Sequence, residues 1–147
     1  LRSFEKNKPV VIRNPKATRP WQHVLEPLSG YLILAEKLYK NQKEYSEGWN
    51  FGPNEQDVKP VDWILDKMIK KWPGSSWRLD VSPNSHEANF LKLDITKAES
   101  ELGWQPVWEL SHTLEKIIDW HRAWLDKEDM QAICLAEIEE YTRDMNK

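Results

Sequence analysis

The sequence predicts an α/β protein whose C-terminal third is helical. Short apolar strands alternate with amphipathic helices between residues 9 and 93, whereas only helical patterns follow residue 94. The alternation predicts a parallel pair of strands, because parallel neighbours are joined by a crossover that is usually a helix. We expect the helical tail to form a lid or an interface, since its helices have more apolar surface than a few short strands can cover.

Four strands are predicted from apolar runs and from the alternation of apolar and polar residues. Residues 9–13 read Pro-Val-Val-Ile-Arg, and Trp77, Leu79 and Val81 alternate with polar neighbours. Glycine and proline bound a third run, and Asp94 ends the fourth. The predicted strands are residues 9–13, 48–52, 76–81 and 90–93.

Five helices are predicted from apolar residues that recur at steps of three and four. Pro27 and Pro60 fit first helical turns, where a missing N–H is tolerated. Asp94 or Thr96 is a candidate cap for the short third helix, and Gly103 suits a left-handed stop after it. The predicted helices are residues 28–38, 60–72, 94–102, 110–125 and 129–145.

Composition and charge limit the classes of function. The 147 residues, 39% hydrophobic and 31% charged, suffice for one domain. A net charge of -3 at pH 7 argues against nucleic-acid binding, which needs a basic face. There is no apolar run of roughly 18 residues and no leader pattern, so we expect a cytoplasmic protein without membrane contact. The single cysteine, Cys134, cannot form an internal disulfide here and is interpreted as a structural thiol on a helix.

A segment between the first strand and the first helix concentrates polar and aromatic groups. It reads Arg19-Pro20-Trp21-Gln22-His23-Val24-Leu25-Glu26. A guanidinium binds phosphate oxygens bidentately and stays charged at any working pH, so Arg19 is a candidate for holding an anionic ligand. Two interpretations stay open: a ligand site, or a surface ion pair of Arg19 with Glu26 beside a core tryptophan.

Two further segments are informative together with residues 19–24. Residues 49–55 read Trp-Asn-Phe-Gly-Pro-Asn-Glu, and residues 93–98, Leu-Asp-Ile-Thr-Lys-Ala, are followed by Leu-Gly-Trp-Gln-Pro at 102–106. In the order of the chain, the three segments resemble the Arg-Asp-Trp/Tyr-x-x-Val, Tyr/Phe-Asn-x-Gly and Asp-x-Ser/Thr-Lys-Ala…Leu-Gly-Trp-x-Pro patterns of nucleotide-sugar-modifying enzymes, dehydratases above all, in the extended short-chain dehydrogenase/reductase family. The third match is the most specific, and its physical content is structural: a capped short helix, a glycine stop and a buried tryptophan.

The resemblance implies a nucleotide-sugar site built from these segments and the loop before Phe90. The arginine would hold the diphosphate, the two aromatic residues after it would line the pocket, and later residues would contact the ribose or base. In that order the substrate-binding candidates are Arg19; Trp21 and His23; and Asn54, His86 and Glu87.

One position departs from the family pattern. Asn84 stands where many relatives carry a phosphate-binding arginine, and an amide donates only neutral hydrogen bonds. The charge would then come from Arg19 or Arg78. Plain alternatives also stay open for the other candidates: an Asx turn at Asn54 and a solvated pair at residues 86–87.

The resemblance also implies a cofactor that this sequence does not hold by itself. The family's Gly-x-x-Gly-x-x-Gly loop does not occur here, and both this loop and the Tyr-x-x-x-Lys catalytic pair are expected upstream. Because both would be missing, the isolated chain is predicted to be inactive. We therefore expect the C-terminal part of an extended short-chain dehydrogenase/reductase. The last Rossmann elements, mixed with elements of the substrate domain, would lie at about residues 1–72, and a small, largely helical substrate-binding lobe with the helical tail would lie at about 73–147. NAD would be bound by the N-terminal part of the parent enzyme. No catalytic, cofactor-binding or metal-binding residue is predicted in this chain.

The expected partners are a nucleotide-sugar, the remainder of the enzyme and a second copy in a homo-oligomer. Two other functions stay open. One is another nucleotide-sugar epimerase, decarboxylase or reductase on the same scaffold. The other is a non-catalytic helical interaction module, which the helical tail after Leu110 and the missing glycine loop would favour.

Overall fold

Four short strands and six α-helices form most of the regular structure in the computed structural model, which describes residues 1–81 and 88–147. The strands are β1 (Val10–Ile12), β2 (Thr18–Arg19), β3 (Lys59–Pro60) and β4 (Trp77–Leu79). The α-helices are α1 (Arg2–Glu5), α2 (Leu25–Lys40), α3 (Gln42–Tyr45), α4 (Val61–Lys71), α5 (Leu110–Leu125) and α6 (Met130–Met145). A 3-10 helix at Glu55–Asp57 and a π-helical turn at Ala98–Leu102 complete it. The mixture of helix and strand agrees with the predicted class.

The strands form two small sheets. β1 and β4 lie parallel, with Val11 opposite Arg78, so the predicted parallel pair is confirmed. β2 and β3 lie antiparallel, and one parallel bridge joins Thr18 of β2 to Phe90. The second sheet therefore brings together the segment after β1, the entry to α4 and the chain that follows residue 87.

The helix predictions are confirmed at α2, α4, α5, α6 and the turn that ends at Leu102. The strand predictions at 48–52 and 90–93 are wrong, because the first run is irregular and the second keeps only the Phe90 bridge. A strand needs a hydrogen-bonded neighbour, and within the described ranges neither run has one along its length. The sequence pattern does not predict α1, α3, β2 or β3, since such short elements give little periodic signal.

The larger hydrophobic core joins α4 to α5. The parallel sheet covers it from one side, because Val10, Ile12 and Trp77 pack against it. Its buried members are Phe4, Ile64, Leu65, Met68, Leu110, Leu114 and Ile118.

A second core holds the segment that resembles the family signature. Asp94 Oδ1 accepts the backbone N–H of Thr96 at 3.0 Å, and Gly103 has a φ of 69°, in the left-handed region. Trp104 is only 2% exposed and meets Phe51 edge-on, with ring centroids 5.0 Å apart. The predicted glycine stop and buried tryptophan are therefore confirmed. Asp94 bonds the N–H two residues ahead, but the π-helical turn itself begins after Lys97 without a side-chain cap bond.

The helical tail bears on two further expectations. Cys134 on α6 is half-buried, and the indole N–H of Trp120 on α5 donates to its Sγ at 3.3 Å, which fits a packing role. Within the described ranges, α5, α6 and the other helices are all too short or too polar to cross a membrane.

Candidate functional site

Arg19 lies at the seam between β2 and the chain that follows residue 87. Its Nη1 donates to the carbonyl oxygens of Thr18 at 2.8 Å and of Ala88 at 3.0 Å. The backbone N–H of Thr18 donates to the carbonyl oxygen of Asn89 at 2.9 Å, which fixes the same contact. Arg19 thus contacts Ala88, the first described residue after position 87. The predicted binding residues His86 and Glu87, and the departure at Asn84, lie outside the described residues.

A second positive charge accompanies Arg19. Lys59 is its cross-strand partner in the antiparallel pair, and Lys59 Nζ lies 5.8 Å from the centroid of the Trp63 ring. Sequence reasoning missed Lys59, because only the pairing of β2 with β3 reveals it. Arg78, the other candidate for a phosphate-binding charge, lies exposed on β4 in the other sheet.

Trp21 and His23 make internal contacts. The indole N–H of Trp21 donates to the carbonyl oxygen of Lys59 at 3.0 Å, while its ring packs against the larger core. His23 is 4% exposed and stands edge-on to Trp108, with ring centroids 4.9 Å apart. Its Nδ1 accepts the N–H of Leu25 at 3.3 Å. Their assignment to a pocket wall stays a prediction.

The surroundings of His23 favour its neutral form. Burial lowers the pKa of His23 to about 4, and the nearby positive charges of His112 and Lys116 act in the same direction. Glu137 Oε2 lies 3.9 Å from His23 Nε2. Burial raises the pKa of the Glu137 carboxyl group, so burial favours the neutral form of this partner too. We expect His23 to be uncharged in the folded protein at neutral pH.

Glu26 is the centre of a buried polar network. Its side chain is fully buried, with Oε1 accepting the N–H of Trp108 at 2.8 Å and Oε2 accepting the N–H of Val107 at 3.0 Å. The hydroxyl of Tyr141 donates to Oε2 at 2.7 Å, and burial raises the pKa of that hydroxyl. The alternative interpretation, a surface ion pair between Arg19 and Glu26, is therefore wrong. Sequence reasoning missed the network, although an acid within the apolar run Val24-Leu25-Glu26-Pro27-Leu28 was an available signal.

Asn54 lies at an open cleft of about 560 Å³. Its side chain makes no cap bond to the 3-10 helix that follows, so its contacts within the described ranges do not support the Asx-turn alternative. Lys92 supplies the positive charge in the lining and bonds Glu55 at 2.5 Å, which lowers the pKa of Glu55. The lining also contains three carboxylates, those of Glu55, Asp94 and Glu99, which outnumber the single ammonium group of Lys92. The cleft therefore suits a neutral, hydroxyl-rich group better than a diphosphate.

The spacing Tyr-x-x-x-Lys does occur once, at Tyr39 and Lys43. The helix is interrupted between them, because α2 ends at Lys40 and α3 begins at Gln42. Tyr39 is 93% exposed, and we do not assign these two residues as a catalytic pair. Across residues 1–81 and 88–147, no group of three or more His, Cys, Asp or Glu side chains could hold a metal ion.

Comparison with known proteins gives one close relative. A curated CDP-glucose 4,6-dehydratase from Salmonella typhimurium is 53% identical over 142 residues, which are 96% of this chain and 40% of the relative. No family model matches the sequence. The chain thus spans two fifths of the length of the relative it matches. Three short segments predicted a resemblance to nucleotide-sugar dehydratases, and this prediction is confirmed. Nearly the whole chain is similar to part of a CDP-glucose 4,6-dehydratase.

Proposed function

We propose that this chain is the nucleotide-sugar-binding, C-terminal part of an NAD-dependent CDP-glucose 4,6-dehydratase. Such an enzyme converts CDP-glucose to CDP-4-keto-6-deoxyglucose and water, a step toward deoxysugars of surface polysaccharides such as lipopolysaccharide. The observation that carries the proposal is the 53% identity along 96% of the chain. In this proposal the parent belongs to the extended short-chain dehydrogenase/reductase family and acts in the cytoplasm.

Arg19 would hold the diphosphate, assisted by Lys59. Arg19 and Lys59 are two cations on adjacent strands, which together attract an anion. In its hydrogen bonds to described residues, the Arg19 guanidinium uses only Nη1. Its remaining N–H donors can address phosphate oxygens in the bidentate way that favours arginine. The contact with Ala88 would set the direction of the guanidinium and bring His86 and Glu87 to the same ligand.

The cleft beside Asn54 would receive an uncharged part of the nucleotide-sugar, such as the ribose. The amide of Asn54 can both donate to and accept from hydroxyl groups, and the surrounding carboxylates accept from them. Repulsion between those carboxylates and the diphosphate would set the direction in which the ligand lies. Arg19 and Asn54 would thus bind different chemical parts of one substrate.

The described residues do not fit the pyrophosphate of NAD. A dinucleotide-binding turn needs glycines where a strand enters a helix, so that the backbone can approach the phosphates. α2 is entered through Pro20-Trp21-Gln22-His23 and α4 through Lys59-Pro60. NAD, which supplies the hydride chemistry, would be bound by the rest of the parent, and this chain would bind and orient the sugar nucleotide.

The proposal is tested with a chimera in which this chain replaces the matched 142 residues of the Salmonella typhimurium enzyme. We expect the purified chimera to convert CDP-glucose to the 4-keto-6-deoxy product, followed by mass spectrometry of the sugar nucleotide. A folded chimera that leaves CDP-glucose unchanged but converts another nucleotide-sugar would assign the chain to a sister enzyme. A folded chimera that converts none would refute the proposal.

A further inference from the structure

Helix α2 carries apolar residues on two opposite faces. Its inner face is occupied, because Ile33 and Leu34 pack against the second core. Gly30 lies so close to Phe51 that a Cβ there would come within 2.3 Å of the ring. The other face is exposed, and together with Val24, the residue just before the helix, it forms the outer stripe: Val24, Leu28, Tyr31, Leu32, Ala35 and Tyr39.

The outer stripe is continuous along the helix. Its members follow one another at steps of 4, 3, 1, 3 and 4 residues, which places them within an arc of about 100°. Leu32 is 74% exposed, Val24 63% and Tyr31 55%. A surface helix normally has one apolar face, toward its core, whereas a helix that is apolar on opposite sides lies between two layers. The described residues supply one of these layers.

The stripe also borders a second unsatisfied element. Tyr31 meets Phe51 edge-on, with ring centroids 5.5 Å apart, so the stripe adjoins the run at 48–52. That run has the pattern of a strand but lacks a pairing neighbour among the described residues. A partner that offers both an apolar face and a strand edge would satisfy the two together.

We propose that the outer stripe of α2 is the docking surface for the part of the dehydratase that this chain does not match, which is 100% minus 40%, or 60%, of the relative. This inference rests on the proposed function. The missing part is long enough to supply a complete layer, and the stripe is the apolar surface of α2 left for it. The unpaired run beside the stripe extends the same contact.

The test measures the accessibility of position 32 in the chimera. Leu32→Cys is allowed to react with a water-soluble maleimide, and peptide mapping by mass spectrometry gives the rate at that position in native and urea-unfolded protein. Ile138→Cys on α6 is the matched control, since Ile138 is another apolar helical residue and is 47% exposed. We expect native structure to slow the reaction at position 32 at least tenfold and to slow the control much less. Leu28→Cys on the same stripe replaces Leu32→Cys if that variant does not fold.

A reaction at position 32 that is as fast in the native chimera as in the urea-unfolded chimera would overturn the proposal. Protection at position 32 that disappears on dilution would also overturn it, because the covering surface would then be a second copy. Turnover of CDP-glucose by the unmodified chimera tests the proposed function separately. An active chimera with a reactive position 32 would refute only the docking-surface proposal. An inactive chimera with a protected position 32 would refute only the proposed activity.

Discussion

Replacing Glu26 by glutamine is expected to destabilise the fold by about 3 kcal/mol. The carboxylate is fully buried and accepts three donors, the N–H groups of Val107 and Trp108 and the hydroxyl of Tyr141. Glutamine has almost the same shape but only one accepting oxygen. If that oxygen takes the place of Oε2, the amide NH2 faces the N–H of Trp108. A bond to a charged acceptor, worth about 1.5 to 3 kcal/mol, is lost, and a buried donor is left unsatisfied at a cost of about 1 to 3 kcal/mol.

Urea unfolding of the full-length chimera measures this effect. The slope of the unfolding free energy against urea is about 1 to 3 kcal/mol per molar for small proteins and grows with chain size, so in the chimera a loss of about 3 kcal/mol moves the midpoint down by roughly 1 M. Glu36→Gln is the matched control, because Glu36 lies on the same helix with its side chain 63% exposed. We expect its midpoint to stay unchanged. A Glu26→Gln midpoint equal to that of Glu36→Gln would refute the view that the buried carboxylate organises this region.

Three further predictions concern binding, pH and the cofactor. In the chimera, Arg19→Ala is expected to weaken CDP-glucose binding roughly 10- to 150-fold in titration calorimetry, from about 1.5 to 3 kcal/mol; Arg143→Ala, on α6, is the control, and an unchanged dissociation constant would contradict the role of Arg19. Folding lowers the pKa of His23 from 6.5 to about 4, so between pH 6.5 and pH 4 only the unfolded chain protonates this imidazole. The neutral His23 therefore contributes at most about 3 kcal/mol to folding stability, which is present above pH 6.5 and is lost as the pH falls toward 4. His23→Gln should flatten that part of the pH–stability curve, and an identical slope would refute it. The isolated chain should release no dinucleotide absorbance on heat denaturation, and stoichiometric NAD would contradict the assignment of the cofactor to the rest of the parent.

Helices could be predicted from this sequence more reliably than strands. An α-helix forms its hydrogen bonds within its own segment, so the spacing of apolar residues and the prolines at 27 and 60 suffice to locate it. A strand depends on a neighbour that local sequence does not identify. Residues 10–12 form a strand because β4 pairs with them, whereas residues 48–52 have a comparable pattern and no such neighbour in the described ranges.

The candidate site shows the same dependence on distant residues. Arg19 is a recognisable phosphate-binding candidate from its own chemistry, yet its contact with Ala88 joins residues 69 apart in the chain. Lys59 enters the site only because β3 pairs with β2. The bonds of Glu26 reach 81 to 115 residues away, so an acid within a local apolar run can indicate a buried carboxylate but cannot identify its partners.

The segment from Arg19 to Glu26 combines two tasks that its sequence does not separate. Arg19 lies beside a neighbouring cation, where an anionic ligand could approach. His23, in contrast, is buried against Trp108, which precedes α5, and Glu26 is buried against Tyr141 of α6. Only a short stretch of chain joins the two ends, so the buried network restricts the positions that Arg19 can adopt. A guanidinium held in this way loses less conformational freedom when it binds a diphosphate, which favours tight and oriented binding. Under the proposed function, the aromatic and acidic residues that follow Arg19 would act by holding it in position, even where they do not touch the ligand.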